Sequence, residues 1–152
     1  MKKLFFVLVL ILIGNYSYSQ NNSLEFDSTL AKQLGADDYG MKMYVLVILK
    51  NGDSTIEDQK VKSDLFAGHM KNIGRLVEEG YLIIAGPFGK NQNDFRGLYL
   101  FDLSDLEEVK KLLQSDPAIS SRLLKTELYP WYGSAALPMY LDFHEKIEKI
   151  PH

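Results

Sequence analysis

The chain contains no cysteine. Disulfides, thiol chemistry and thiolate metal sites are therefore excluded, and so is a lipid anchor on an N-terminal cysteine. Arginine is scarce, with only Arg75, Arg96 and Arg122, and acidic residues outnumber basic ones to give a formal charge of −3. Nucleic-acid binding rests on neutralising phosphates with Lys and Arg, so this balance argues against it. The three histidines, His69, His144 and His152, are far apart, and no HExxH pair exists. No metal or cofactor is expected. The GxxxxGK[ST] spacing of a phosphate loop is also missing, since Gly86 and Gly89 precede a strand pattern and not a helix.

What is present begins with a leader. MKKLFFVLVLILIGNYSYSQ opens with two lysines, runs apolar over 4–13 and ends polar, with small residues at Ser17 and Ser19. That is the pattern of a secretory signal peptide over 1–19. The apolar run falls short of the roughly 20 residues that span a bilayer; the alternative is an uncleaved N-terminal anchor. Removal of the leader takes the formal charge from −3 to −5 and leaves about 133 residues, enough for one globular domain. The expectation is an exported protein, periplasmic or secreted, with no stable membrane anchor after cleavage.

Residues 20–40 read as a polar lead-in with one short helix, TLAKQL, started by Asp27 or Ser28 and closed by Gly35. Residues 43–50, MYVLVILK, form a run of β-branched and apolar residues that predicts a strand buried on both sides, ended by Asn51-Gly52. A long helix follows, starting at Ser63 or Asp64 and stopped by Gly80. Its apolar stripe is Leu65, Phe66, His69, Met70, Ile73, Leu76 and Val77. His69 lies inside that stripe, so it is either a satisfied core residue or a group facing a cleft.

Strands are predicted over 81–87 and 96–103, then a helix opened by the capping box Ser104-x-x-Glu107 with Leu106, Val109, Leu112 and Leu113 on one face. A helical turn begins at Asp116-Pro117, and a fourth strand runs over 123–131. The extension over 133–152 reads as a helix after Pro138, with Leu141 and Phe143 or His144 near its inner face. This βαββαβ order predicts a ferredoxin-like α+β fold: an antiparallel sheet with helices on one face. The open sheet face exposes apolar residues, and a homodimer packing sheet on sheet would cover it.

GHMKNIGRLVEEG, LIIAGPFG, RGLYLFDL, DPA and ELYPW, in this order, resemble the YCII-related family over residues 41–132. The resemblance implies a dimeric α/β-barrel of ferredoxin-like subunits and an active site made by a His–Asp pair. That pair falls on His69 and Asp116. It also implies small-molecule chemistry of the dehalogenating or isomerising kind. The leader and the helix after Trp131 depart from the family pattern.

A histidine beside a carboxylate can act as acid or base near neutral pH. Aspartate before proline at a helical turn is equally a helix cap, and the two roles are compatible because a carboxylate has several lone pairs. Gly86 and Pro87 would let a ligand approach the backbone, or simply end a strand. Arg96, at the start of the third strand, would anchor an anionic substrate group or simply stand solvated. Tyr129, Trp131 and Tyr132 would line a pocket or a dimer interface, and His144 and His152 read as surface residues. The expected function is cofactor-free proton transfer on a small molecule, of the lyase or isomerase type. The alternative is a non-catalytic ligand-binding or structural dimeric module of the cell envelope.

Overall fold

The structure is a computed structural model describing residues 25–150; the expected leader at 1–19 and His152 lie outside the described residues. Strand β1 (Met41–Asn51) carries two apolar rows because side chains alternate faces. Val45, Val47 and Leu49 point to one face, Tyr44, Leu46 and Ile48 to the other. A strand apolar on both faces belongs in the middle of a sheet. It pairs antiparallel with β3 (Phe95–Phe101) on one side and β4 (Leu124–Ser134) on the other. Strand β2 (Leu82–Pro87) adds to β3, so the order is β2-β3-β1-β4, antiparallel throughout.

Helices α2 (Gln59–Glu78), α3 (Leu106–Gln114) and the short α4 (Pro117–Ser120) cover one face. Leu76, Val109, Leu113 and Ala118 meet Val45, Val47, Leu49, Leu82, Tyr99, Phe101 and Leu124 there. Burying each large aliphatic side chain in this layer contributes about 1.5–3 kcal/mol. This is the ferredoxin-like α+β arrangement. Helix α1 (Ser28–Leu34), capped by Asp27 and closed by a left-handed Gly35, precedes the sheet. The Tyr132 hydroxyl donates to Asp37 and ties this lead-in to β4.

The opposite face is not left bare, as the sequence pattern suggested. A 3₁₀ turn (Leu137–Tyr140) and helix α5 (Leu141–Ile147) fold back over part of it. Leu137 and Leu141 pack on Tyr44, Ile83 and Leu100, and the Tyr140 hydroxyl donates to the Ile83 carbonyl. Phe143 and His144 point away, so only Leu141 of the expected inner residues faces the sheet.

Three boundaries differ from expectation. Helix α2 starts at Gln59, not near Ser63 or Asp64, because the Asp58 carboxylate accepts from Lys60 N (2.7 Å) and Val61 N (3.2 Å). Ser104 does not form the capping box; Asp105 caps α3, accepting from Glu107 N (2.7 Å) and Glu108 N (3.3 Å). Asp is at least as good a cap as Ser. Strand β4 continues through Pro130 to Ser134. A proline missing its N–H is tolerated on an edge strand. Among the described residues no helix is long and apolar enough to cross a membrane.

Candidate functional site

The inward stripe of α2 is narrower than its apolar pattern. Phe66, Met70 and Val77 are exposed, while His69, Asn72 and Leu76 are the buried positions. These sit at i, i+3 and i+7, one line along a helix. Gly68 explains why the helix comes so close to α4. A Cβ there would stand 2.8 Å from the Pro117 Cγ, so only glycine permits this approach. The approach brings His69 within reach of the residue before Pro117.

That residue is Asp116, fully buried and extended at the N-cap of α4 (φ −80°, ψ 121°). Its Oδ1 accepts from Ala118 N (2.9 Å) and Ile119 N (3.2 Å). Its Oδ2 lies 2.8 Å from His69 Nδ1 and accepts from Asn72 Nδ2 at 3.3 Å. One carboxylate therefore both caps the turn and holds the imidazole. Burial pushes the Asp116 carboxyl up. The hydrogen bond and charge of His69, the Ile119 N–H and the Asn72 amide outweigh this and hold it below the ordinary value of 3.8.

An ionised carboxylate only accepts, so His69 Nδ1 is the donor. In the neutral imidazole Nε2 is then an acceptor. Facing it, at 3.1 Å, is the hydroxyl of Tyr99 on β3. Tyr99 is 2% exposed, and burial together with the nearby Asp116 charge pushes its phenol far up, so it stays protonated and donates to Nε2. The three groups form a chain: Tyr99 O–H to His69, His69 N–H to Asp116. His69 is 7% exposed, and among the described residues no buried side-chain nitrogen or oxygen lacks a partner. Phe66 stands edge-on to the imidazole, ring centroids 6.1 Å apart, with its own outer edge in solvent.

An open groove of about 750 Å³ runs between α2 and α4, with Asn72 on its floor and Lys71, Arg75, Ser115 and Pro117 on its walls. It approaches the pair from the Asn72 side.

The other residues singled out in the sequence lie elsewhere. Arg96 is exposed, three positions along β3 from Tyr99, which is about 10 Å of strand. It borders a separate cavity of about 130 Å³ with Phe88, Lys90, Asn91 and Asp94. Gly86 and Pro87 pair with Leu98 and Gly97 and are exposed on β2. None of the three joins the hydrogen-bond chain of His69. Trp131 tilts against Tyr44 at 5.8 Å, and the Tyr129 hydroxyl donates to Glu127 at 3.0 Å, both on the sheet face opposite the helices. Sequence reasoning missed Tyr99 and Asn72. A tyrosine in an apolar strand reads as core, and an asparagine on a helix reads as surface; only the packing of α2 on β3 and α4 gives either a partner.

A model of the YCII-related domain matches residues 43–132, more than half of the chain. The chain belongs to the YCII-related domain family. Comparison with curated proteins finds no match. Among solved structures, this YCII-related protein is similar to the 5-chloro-2-hydroxyhydroquinone dehydrochlorinase of Burkholderia phenoliruptrix, solved in complex with 2,5-dihydroxybenzoquinone. The identity is 20%, the alignment covers 58% of this chain and 92% of that one, and the TM-score is 0.43.

Proposed function

We propose that this YCII-related protein is a cofactor-free enzyme that moves a proton on a small organic molecule, with His69 as acid and base and Asp116 as the group that orients it. The observation that carries the reading is the chain of two hydrogen bonds, 2.8 Å from His69 to Asp116 and 3.1 Å from Tyr99 to His69. Asp116 fixes the tautomer, so the Nε2 lone pair is the basic one. The Tyr99 hydroxyl, kept protonated by burial, donates to that lone pair and must turn from it before Nε2 takes a substrate proton. Phe66, partly in solvent and edge-on to the imidazole, is the side chain whose rotation would open His69 to a substrate. Abstraction of a C–H proton then produces a carbanion or enolate, from which isomerisation or loss of a leaving group follows.

The protein acts after export, since the leader pattern precedes the domain. It acts as a homodimer through the sheet face opposite the helices, where Tyr129 and Trp131 stay exposed. The complete burial of Asp116, and the absence of any buried unsatisfied side-chain nitrogen or oxygen among the described residues, favour a second reading, a non-catalytic binding or structural module.

Solvent deuterium separates the two. The full chain is incubated in D₂O with a panel of enolisable and phenolic compounds, and exchange is followed by NMR. Exchange that disappears in a folded His69→Gln variant supports the enzyme. Compounds that bind without exchange, or exchange that survives His69→Gln, support the module.

A further inference from the structure

Beyond the His–Asp pair, Asn72 contacts Asp116 and is itself held by Arg75 and Ser115, with Glu79 behind Arg75. Asn72 Nδ2 donates to Asp116 Oδ2, the same oxygen that accepts from His69. Asn72 Oδ1 accepts from Arg75 Nε at 3.3 Å and Arg75 Nη2 at 2.9 Å. Ser115 Oγ accepts from Arg75 Nη2 at 3.0 Å and lies 3.2 Å from Asn72 Oδ1 and 2.6 Å from the Leu112 carbonyl. Arg75 Nη1 is held in turn by Glu79 at 2.6 Å.

This arrangement admits one orientation of the amide. Arg75 gives two N–H groups to Asn72 Oδ1, the single hydrogen of Ser115 has the nearer Leu112 carbonyl at 2.6 Å, and the group facing Nδ2 has only lone pairs. A flipped amide would set NH₂ against the guanidinium and C=O against the carboxylate, two repulsions replacing at least three attractions. At 7% exposure, water cannot repair them.

We propose that Asn72 is a positioning residue for the His69–Asp116 pair, its amide locked toward Asp116 by Arg75 with support from Ser115. The inference deepens the proposed role of the pair and rests on it. Asn72 takes one of the two acceptor directions of Oδ2 and leaves the other for His69 Nδ1. It also couples the buried carboxylate to the groove, because Arg75 lies on the groove wall while Asn72 forms its floor. The ionisable groups around the carboxylate are His69, Arg75 and Glu79 on α2 and Tyr99 on β3.

The test is an NMR titration of the Asp116 carboxyl carbon, with the His69 Nδ1 proton resonance as a second readout, in the full chain. Asn72→Leu should raise the Asp116 titration by about half to one unit, the worth of one donor to a carboxylate. It should also broaden or shift the Nδ1 proton. Arg75→Ala touches nothing on Asp116 and lies partly in solvent. It should move both signals in the same direction by a smaller amount, and by nothing when Asn72→Leu is already present. An unchanged titration in Asn72→Leu overturns the proposal. So does an Arg75→Ala shift of equal size in both backgrounds, which would mean direct attraction between the guanidinium and the carboxylate. If Asn72→Leu fails to fold, Arg75→Ala alone decides: no movement of either signal refutes the lock. These readouts need no substrate, so their failure and the failure of deuterium exchange are distinguishable.

Discussion

Replacing Asp116 by Asn changes one atom and tests most of the site. The carboxylate satisfies four donors: Ala118 N, Ile119 N, His69 Nδ1 and Asn72 Nδ2. An amide supplies one oxygen and two hydrogens. If the oxygen keeps the helix cap, NH₂ faces His69. The imidazole must then move its proton to Nε2, which turns the Tyr99 hydroxyl from donor to acceptor. Asn72 Nδ2 is left against another N–H. One buried donor without a partner costs about 1–3 kcal/mol. The helix cap survives, so a full cap loss is not added. The expected destabilisation is about 2 kcal/mol, or a drop in Tm of roughly 5–10 °C for a domain of this size. Circular dichroism melts measure the drop, and ¹⁵N spectra of the imidazole read the tautomer. The pH dependence carries the sign. Asp116 titrates below its ordinary value of 3.8 in the folded chain. Its contribution is therefore fully present above about pH 4 and is lost as pH falls through the lower folded value. The gap between wild type and Asp116→Asn should be constant near neutrality and narrow below pH 4. A gap that stays constant into that range, or an imidazole that keeps its Nδ1 proton in the variant, would refute the assignment of donors.

Three further substitutions follow from the same packing. Gly68→Ala should gain up to about 1 kcal/mol of helix propensity at an ordinary site, yet here the new Cβ meets Pro117 Cγ at 2.8 Å. We expect a net loss of about 1 kcal/mol in urea unfolding and a weakened His69–Asp116 bond; a stabilised variant would contradict the close approach of α2 and α4. Tyr99→Phe leaves His69 Nε2 without its donor and should cost about 1–3 kcal/mol, read by thermal melts, with a neutral result showing that the 3.1 Å contact is not a bond. Gly133→Ala would put a Cβ 2.0 Å from the Trp131 ring, forcing it off Tyr44. The chain has one tryptophan, so its emission reports that movement directly; an unchanged spectrum would refute the geometry.

The order of elements was legible because each carries its own local signal. The doubly apolar run of β1 reads as a central strand, and Gly35 and Gly80 mark helix ends with left-handed backbones (φ 69° and 77°). Helix starts were harder. Residues 59–62 are polar except for an exposed Val61, so no periodicity marks the first turn of α2, and only the Asp58 cap identifies it. The site was half legible. His69 stands out as a polar residue on an apolar stripe, and Asp116 as a cap before proline. Their contact spans 47 residues of chain and depends on the glycine beside His69. Asn72 and Tyr99 carry no local mark at all, because their roles come from what the fold sets opposite them. The fold-back of the C-terminus over the sheet was hidden for the same reason. The tail has several apolar residues, and only Leu137 and Leu141 find the Tyr44 cluster.

The composition of the core bears on why the polar chain is there. Around His69, Asp116, Asn72 and Tyr99 the layer is aliphatic, with Leu76, Val109, Leu113 and Ala118 almost completely buried. Burying an ionised carboxylate in such surroundings carries a desolvation penalty of several kcal/mol, which partners offset without surplus. Well-packed hydrophobic replacements of a buried ion pair are often neutral or stabilising. The helix cap does not require the pair either, since a serine before Pro117 would serve the same two N–H groups. Stability alone therefore gives no reason for a histidine, an asparagine and a tyrosine hydroxyl to converge on this one carboxylate. What the cluster supplies, and leucine could not, is a directed proton: Nδ1–H fixed toward Asp116 and a lone pair held at Nε2 against a protonated phenol.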